Sequence, residues 1–244
     1  MNLIIDIGNT TAKTAIFKKN KILEHKKYDL LSIETIIKLK NKYGDLKNAI
    51  LSSVAEYNND ILQYLEDNFS TFIRLDQHTK LPVENRYSTC DTLGYDRIAA
   101  VTGANFLFAD KNILVIDIGT AITYDHINKK NQYTGGNISP GTDLRFRALH
   151  EHTHKLPLLT KREDNELTGD STANAIIRGV QNGIIFEIEG YIRAFSSKFD
   201  DLQVVLTGGE SFFFENRLKN NIFAEPNLVL IGLNRILEYN VSEK

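Results

Sequence analysis

Two acidic glycine turns carry residues whose types and spacing suit the handling of phosphate. The first reads Asp6-Ile7-Gly8-Asn9-Thr10 and the second reads Asp117-Ile118-Gly119-Thr120-Ala121. A glycine two residues after the aspartate lets the backbone approach a phosphate closely, because no Cβ stands in the way. In the first turn, Thr11 adds a small donor, Lys13 adds a cation, and Asp6 is suited to hold Mg²⁺ through water. Backbone donors, a cation and a metal-binding carboxylate are what phosphoryl transfer requires of a protein.

The two turns belong to an internal repeat. Leu3-Ile4-Ile5-Asp6-Ile7-Gly8 returns 111 residues later as Leu114-Val115-Ile116-Asp117-Ile118-Gly119, and at the same offset Lys18-Lys19-Asn20 falls on Lys129-Lys130-Asn131. A single Asp-x-Gly is most simply a turn at the end of a strand. Two copies at equivalent points of a repeat, each rich in hydroxyl residues, instead favour a duplicated nucleotide site. The chain has neither a G-x-x-x-x-G-K-[ST] loop nor a G-x-G-x-x-G turn, so the prediction is an actin-like site.

Hydrophobic patterns predict a strand-rich start followed by helices, and this order occurs twice. Early in the chain we predict strands at 2–6, 12–17, 21–27, 48–53 and 71–75, and helices at 32–43 and 58–68. Further along we predict strands at 113–117, 121–127, 132–138 and 203–207, and helices at 94–108, 142–153, 171–197 and 232–240. This organisation predicts an α/β protein of two related domains, residues 1–110 and 111–244, with a cleft between them.

The composition argues against several classes of protein. The 244 residues are 42% hydrophobic and 25% charged, as in ordinary globular domains, and the formal net charge is −2. This balance argues against a nucleic-acid partner, because proteins that bind nucleic acids usually carry a basic face. The apolar runs are far shorter than the ~20 residues of a membrane span, and the N-terminus has no signal-peptide pattern. Since the lone Cys90 also fits a reducing compartment, we expect a cytoplasmic protein without a membrane partner.

Two further motifs carry weaker signals. Thr207-Gly208-Gly209-Glu210 follows an apolar strand, and its glycines would let an adenine or ribose lie against bare backbone, although Gly-Gly after a strand is usually only a turn. His150-Glu151-His152-Thr153-His154 matches the H-E-x-x-H pattern of zinc hydrolases. No later histidine follows as a third ligand, so a solvated helix end is the simpler interpretation.

Taken together, the motifs resemble those of the type III pantothenate kinases, which catalyse the first step of coenzyme A synthesis. The resemblance runs from residue 3 to about 235, and its motifs occur in the order of that family: Asp6-Ile7-Gly8-Asn9-Thr10 with Lys13, Gly94-Tyr95-Asp96-Arg97, Asp117-Ile118-Gly119-Thr120-Ala121-Ile122-Thr123, Gly135-Gly136-Asn137-Ile138-Ser139-Pro140-Gly141, Gly169-Asp170-Ser171-Thr172 and Thr207-Gly208-Gly209. The second and fourth of these motifs separate this family from other actin-like kinases. The resemblance implies a duplicated ribonuclease-H-like (actin-like) fold, a homodimer, and a need for ATP, Mg²⁺ and a monovalent cation, K⁺ or NH₄⁺.

The resemblance also implies a role for each matching residue. The ATP phosphates would bind the eight residues of the first turn, which are Asp6, Ile7, Gly8, Asn9, Thr10, Thr11, Ala12 and Lys13. Thr120 would contact ATP, and Asp117 would ligate the monovalent cation. Pantothenate would bind Tyr87, Gly94, Tyr95, Asp96, Arg97 and Thr172, with Asp96 as the general base.

The chemistry of pantothenate agrees with Gly94-Tyr95-Asp96-Arg97. The substrate has one carboxylate, which suits Arg97, and one primary hydroxyl, whose proton Asp96 can take. A carboxylate of ordinary pKa, ~3.9, is a weak base, but positioning of the nucleophile matters more than full deprotonation in a loose phosphoryl transition state. Judged without the family, Asp96 and Arg97 are equally well explained as a surface pair at a helix start. One departure from the family pattern is Arg178, which stands where a small residue is more usual.

Two other functions are compatible with the turns. A nucleotide-binding regulator or chaperone-like ATPase could use the same cleft as a switch, but it would not need the base and carboxylate binder of Gly94–Arg97. Another small-molecule kinase of the same fold could act on a sugar or on acetate. Arg97 favours an anionic substrate over a neutral sugar, and it does not exclude an acid other than pantothenate.

Overall fold

The computed structural model describes residues 1–55 and 57–242, and the chain divides into two compact units. The first unit comprises Met1–Ala109, Lys130–Thr134 and the C-terminal stretch from Asn227, and the second comprises Asp110–Lys129 and Gly135–Pro226. In chain order the elements are β1 (Asn2–Ile7), β2 (Ala12–Lys18), β3 (Lys21–Tyr28), α1 (Ile33–Lys42), β4 (Asn48–Ser53), α2 (Asn59–Asn68), β5 (Thr71–Arg74), β6 (Glu84–Asn85), a 3₁₀ turn (Cys90–Thr92), α3 (Tyr95–Leu107), β7 (Asn112–Ile118), β8 (Ala121–Ile127), β9 (Gln132–Pro140), α4 (Thr142–Glu151), α5 (Thr172–Ser196), β10 (Leu202–Thr207), α6 (Ser211–Glu215), β11 (Phe223–Ala224) and α7 (Leu228–Ser242). None of the described helices is both long and apolar enough to cross a membrane.

The long elements lie where hydrophobic periodicity predicts them, and their ends differ by a few residues. The largest difference is at α7, which begins at Leu228 rather than at residue 232, because its buried stripe extends back to the residues that follow Pro226. β6, α6 and β11 have no counterpart among the predicted elements. With 2, 5 and 2 residues, they are too short to show a period.

The first unit is built on the five-stranded sheet β3-β2-β1-β4-β5. β1 lies at its centre, antiparallel to β2 and parallel to β4. Because side chains alternate along a strand, the odd-numbered residues from Leu3 to Ile7 join one core cluster with residues of α1 and α2. The even-numbered residues occupy the opposite face, where the Asn2 amide donates to Asn234 Oδ1 of α7 at 2.9 Å. Asp6 therefore belongs to the face of the sheet on which α3 and α7 pack.

The second unit repeats this arrangement on the sheet β11-β10-β7-β8-β9. β7 is antiparallel to β8 and parallel to β10, as β1 is to β2 and β4. Leu114, Ile116 and Ile118 pack with α4 and α5 in one core cluster, so alternation turns Asp117 to the other face. The first residues of β9 belong to the first unit and pair there with β6. The sequence repeat is thus a repeat of strand order and of side-chain direction.

The C-terminal helix α7 packs on α3 through backbone contact between two glycines. A Cβ on Gly103 would lie 2.4 Å from the carbonyl oxygen of Leu228, and a Cβ on Gly232 would lie 1.8 Å from that of Ala99. Through this contact, α7 belongs to the first unit. Residues 130–134 also belong to the first unit. The predicted division into residues 1–110 and 111–244 places α7 and residues 130–134 in the second half, whereas both segments belong to the first compact unit.

Substituting Gly232 by alanine is expected to lower the free energy of unfolding by about 2–3 kcal/mol, because the added methyl group overpacks the α3–α7 contact. Urea unfolding at constant m-value would measure the loss. Gly179→Ala in α5 is the matched control, since nothing lies within 4 Å of a Cβ at that position. The control is expected to stabilise the protein by up to about 1 kcal/mol through helix propensity. Equal effects of the two substitutions would contradict the packing argument.

Candidate active site

The first acidic turn joins β1 to β2 in the first unit. The Gly8 N–H donates to the carbonyl oxygen of Thr11 at 3.0 Å and closes the turn. A Cβ on Gly8 would lie 3.3 Å from the same oxygen, which leaves little room for a side chain. Asn9 and Thr10 are exposed at the tip, and the turn lines a cavity of about 390 Å³. Backbone and side-chain donors therefore border an open space, as phosphate binding requires.

Asp6 lies between a cation and a hydroxyl in the sheet. Its register partners are Lys13 on β2 and Ser52 on β4, so the three side chains stand side by side on one face. Burial is the main cause of the pKa of Asp6, which is raised to about 6. The Lys13 ammonium and the Ser52 hydroxyl lower this pKa, whereas the Asp96 carboxylate raises it further. The repulsion between Asp6 and Asp96 means that the two predicted carboxylates lie close to each other within the first unit.

The start of α3 holds Asp96 in a defined position. Its Oδ1 accepts a hydrogen bond from the Arg97 N–H at 2.8 Å. A Cβ on Gly94, the residue before the helix, would lie 2.5 Å from that same Oδ1. Any side chain at position 94 would therefore displace the carboxylate. A negative charge at this helix end is also favoured by the helix dipole.

Arg97 is buried, and its guanidinium group lies over an aromatic ring. The side chain is 6% exposed, and the guanidinium carbon is 5.5 Å from the centre of the Tyr87 ring. Tyr87 stacks in turn on Tyr133 at 6.0 Å, and its N–H donates to Asn85 Oδ1 at 3.0 Å. The surface-pair interpretation therefore does not hold for Arg97. Stacking on an aromatic ring holds the guanidinium in a defined orientation.

Tyr95, the first residue of α3, lines a cavity of about 510 Å³ within the first unit. Arg74, Asp76 and His78 contribute charged or titratable groups to its wall. Its volume lies in the range of cavities that bind small molecules. Tyr95 thus borders a space large enough for a metabolite. The adjacent residue, Asp96, carries the carboxylate that contributes to the raised pKa of Asp6.

The second acidic turn has different neighbours from the first. Asp117 pairs in register with Thr123 on β8 and with Thr207 on β10, where Asp6 has a lysine and a serine. The turn that follows is closed by the Gly119 N–H, which donates to the Ala121 carbonyl at 3.0 Å, and Thr120 is exposed at its tip. A carboxylate whose register neighbours on both strands are threonines suits a hard cation with oxygen ligands.

Two glycine motifs pack directly against this second turn. Gly208 has φ +97, and a Cβ there would lie 2.5 Å from Asp117 Oδ1. Gly141 donates its N–H to the Thr120 carbonyl at 3.0 Å, and a Cβ on it would lie 2.2 Å from the Gly119 carbonyl oxygen. The sequence predicts that Gly208 lies against an adenine or ribose. It does not predict these contacts with the second turn, because they join segments that are far apart in the chain.

Thr172 begins α5, and the segment that leads to it is tied to that helix. Arg178 Nε donates to both oxygens of Asp164, at 3.0 and 3.1 Å. Hydrogen bonds from the Glu166 N–H and from Arg178 lower the pKa of Asp164 to about 2. Arg178, the departure from the family pattern, therefore anchors the loop that precedes Thr172.

The H-E-x-x-H pattern does not form a zinc site. α4 ends at Glu151, so His150 and His154 do not share a helical face. The Nδ1 atom of His150 lies 2.8 Å from the Leu156 carbonyl oxygen. In the described ranges, 1–55 and 57–242, no group of three His, Cys, Asp or Glu residues could hold a metal ion.

The structure thus divides the predicted residues into two sets. Asp6–Lys13, Tyr87 and Gly94–Arg97 belong to the first unit, and Asp117, Thr120 and Thr172 belong to the second. Within the first set, Asp6 and Asp96 interact electrostatically and Arg97 stacks on Tyr87. Within the second set, Asp117 and Thr120 share the acidic turn, whereas Thr172 lies on a different element.

Comparison with known proteins assigns the chain to a family. The sequence model of the type III pantothenate kinases matches residues 2–194. The chain belongs to this family. A type III pantothenate kinase of Bacteroides fragilis is 48% identical over 240 residues, which cover 98% of each chain. The resemblance derived from the glycine and aspartate motifs is confirmed.

Solved structures of other proteins establish the fold class of this chain. The activator of 2-hydroxyisocaproyl-CoA dehydratase from Clostridium difficile, with bound ADPNP, superposes with a TM-score of 0.57 and 13% identity, covering 99% of this chain and 94% of the other. A glucokinase from an Antarctic psychrotroph superposes with a TM-score of 0.52 and 12% identity, covering 98% of each chain. At these identities the likeness concerns the fold, and the predicted duplicated ribonuclease-H-like fold is confirmed.

Proposed function

We propose that this chain phosphorylates pantothenate with ATP to give 4′-phosphopantothenate, the first step of coenzyme A biosynthesis. Membership of the type III pantothenate kinase family carries the proposal. A relative that is 48% identical bears the name of this activity. That name favours pantothenate over a sugar or acetate, and a kinase over a nucleotide switch, which are the alternatives left open by the motifs.

In the proposed reaction, Asp96 is the general base. It accepts the proton of the primary hydroxyl as that oxygen attacks the γ-phosphorus of ATP, while Arg97 binds the pantothenate carboxylate. The stacking of Arg97 on Tyr87 and the hydrogen bond that holds Asp96 support these roles, because both side chains are oriented before substrate arrives. The remaining pantothenate contacts of the proposal are Gly94, Tyr95 and Thr172.

In the same proposal the ATP phosphates bind the first acidic turn, Asp6–Lys13, and Thr120 also contacts ATP. The donors of the turn and the Lys13 ammonium suit phosphate oxygens, and the Asp6 carboxylate suits Mg²⁺ bound through water. When bound, Mg²⁺ supplies charge neutralisation to the phosphates. The ADPNP in the dehydratase activator supports a nucleotide in a protein of this fold.

Asp117 is the proposed ligand of a monovalent cation, K⁺ or NH₄⁺. Its threonine neighbours, Thr123 and Thr207, support this role because they add oxygen atoms and no competing positive charge. Asp117→Asn is expected to lower kcat/KM at saturating K⁺ at least about tenfold, a loss of ~1.4 kcal/mol. It is also expected to remove most of the difference between K⁺ and Na⁺. Steady-state rates across a K⁺ titration would measure both effects.

The exposed Asp201 in the same unit offers the matched control for Asp117. Asp201→Asn removes one carboxylate from the surface and is expected to retain the K⁺ dependence of the wild type. The cation role of Asp117 is rejected if its Asn variant still distinguishes K⁺ from Na⁺ to the same degree as the wild type.

A single assay tests the activity itself. The purified chain with ATP, Mg²⁺ and K⁺ is expected to release ADP only when pantothenate is present and to form 4′-phosphopantothenate, detected by mass spectrometry. Acetate and glucose in place of pantothenate test the two alternative kinase activities. Absence of pantothenate-dependent ADP release, with K⁺ or with NH₄⁺, would refute the proposal.

The family resemblance also supports a cytoplasmic homodimer as the working form. Light scattering after size exclusion is expected to give twice the 27.7 kDa mass of the chain. A mass of one chain at micromolar concentration would contradict the dimer.

A further inference from the structure

Glu210, which follows Thr207-Gly208-Gly209, joins three segments of the second unit. Its N–H donates to the Ile118 carbonyl at 3.1 Å, and its Oε2 accepts from the Thr142 hydroxyl at 2.6 Å. Its Oε1 forms an ion pair with Lys161. The Glu210 side chain is only 15% exposed and Thr142 is buried, so the hydrogen bond between them is shielded from water, whereas the Lys161 side chain is 34% exposed.

These bonds close a ring around the second acidic turn. The turn is held on one side by the bond from Glu210 to the Ile118 carbonyl and on the other by the bond from Gly141 to the Thr120 carbonyl. Because Thr142 directly follows Gly141, the Glu210–Thr142 hydrogen bond connects the two sides. A charged hydrogen bond of this kind is about twice as strong as a neutral one. The carboxylate of Glu210 thus restrains the backbone that carries Asp117 and Thr120.

The internal repeat offers a comparison within the same chain. In the first unit, the Val54 N–H donates to the Ile7 carbonyl at 3.0 Å, which is the counterpart of the bond from Glu210 to Ile118. Val54, the residue that donates this bond, has an aliphatic side chain that is 43% exposed. The backbone arrangement therefore forms without a carboxylate at this position. The contacts of the Glu210 carboxylate with Thr142 and Lys161 are therefore additional to the backbone bond at this carbonyl.

We infer that Glu210 is a positioning residue that, through Thr142, holds the second acidic turn in the geometry that binds ATP and the monovalent cation. The inference rests on the proposed function, in which Thr120 contacts ATP and Asp117 binds the cation. Glu210 itself touches neither ligand in this scheme. Its ion pair with Lys161 keeps a positive charge beside the carboxylate.

The test compares ATP binding among variants that break the ring from either end. Glu210→Val replaces the carboxylate by the type of side chain at Val54, which donates to the equivalent carbonyl in the first unit, and Thr142→Val removes the hydroxyl donor. Each is expected to weaken binding of fluorescent mant-ATP about tenfold and to raise the K⁺ concentration for half-maximal activity, with the KM for pantothenate within about twofold of wild type. The double variant is expected to be no weaker than either single variant, because both remove the same bond.

A conservative variant and a control variant distinguish positioning from a general loss of structure. Glu210→Gln keeps an oxygen acceptor for Thr142 and is expected to weaken ATP binding only about twofold to threefold. Glu215→Val on α6 is the matched control and is expected to bind mant-ATP as the wild type does. If Glu210→Val fails to fold by circular dichroism, the Glu210→Gln and Thr142→Val variants still carry the test.

Wild-type affinity in both single valine variants, or losses that multiply in the double variant, would overturn the inference. Nucleotide binding is measured without pantothenate turnover. A wild-type chain that binds mant-ATP but does not phosphorylate pantothenate would therefore refute the proposed function and leave the role of Glu210 testable.

Discussion

Replacing Asp96 by asparagine is expected to lower kcat with pantothenate about 10²–10⁴-fold, the usual cost of losing a general base. Asparagine has the same shape, and its amide oxygen can still accept the hydrogen bond that Asp96 Oδ1 takes from the Arg97 N–H at 2.8 Å. It cannot accept the proton of the attacking hydroxyl. The start of α3 is therefore preserved while the chemistry is lost, and ATP is expected to bind with unchanged affinity.

Pantothenate-dependent ADP release and mant-ATP titration measure the two expectations for Asp96 separately. Asp91→Asn is the matched control, because Asp91 is an exposed aspartate in the 3₁₀ turn ahead of the same helix. A change confined to the KM for pantothenate would contradict the role of base and indicate substrate binding instead.

The same variant has a second, non-kinetic readout. The Asp96 carboxylate is one of the groups that raise the pKa of Asp6, so its neutralisation is expected to lower that pKa. Carboxyl-carbon NMR titration of Asp6 in the wild type and in Asp96→Asn would detect the shift. An unchanged titration would mean that the two carboxylates are not neighbours.

Asp6→Asn is expected to lower activity and to stabilise the fold at the same time. The kcat/KM for ATP is expected to fall about 10²-fold or more, since a preorganised charge at the phosphate site is lost. The free energy of unfolding at pH 8 is expected to rise by on the order of 2 kcal/mol, because the folded protein must otherwise keep a partly buried, desolvated carboxylate ionised. Opposite effects on stability and activity are typical of charged groups in functional sites.

The pH dependence of this stabilisation has a definite sign. The pKa of Asp6 is about 6 in the folded protein, above the ~3.9 of an unfolded chain, so the folded state binds the proton more tightly. The destabilisation by ionised Asp6 is therefore complete above pH ~6 and disappears as the pH falls towards ~4. Urea unfolding of wild type and Asp6→Asn from pH 8 to pH 4 is expected to show two curves that converge at low pH.

The exposed Asp91 again provides the control, because Asp91→Asn is expected to leave the free energy of unfolding almost unchanged at every pH. An advantage of Asp6→Asn that is the same at pH 8 and at pH 4 would point to altered packing rather than to the buried charge.

Local patterns in the sequence determined the internal repeat, the long secondary-structure elements and the family of this protein. The strand-and-turn repeat from Leu3 to Gly8 and from Leu114 to Gly119 indicated two related halves, and the structure repeats it in strand order. The three- and four-residue spacing from Ile176 to Ile188 indicated α5. The Gly94–Arg97 motif pointed to the pantothenate kinase family, to which the chain belongs. Each of these signals fits within one short window of residues.

Tertiary structure alone decided which side chains meet. Lys13 stands beside Asp6, and Thr123 beside Asp117, because the second turn is one residue shorter and shifts the register between the repeats. The membership of α7 in the first unit and the hydrogen bond of Glu210 to Thr142 likewise join distant parts of the chain. Strand register and helix packing are set by contacts between residues far apart in sequence, and no local period or turn motif records them.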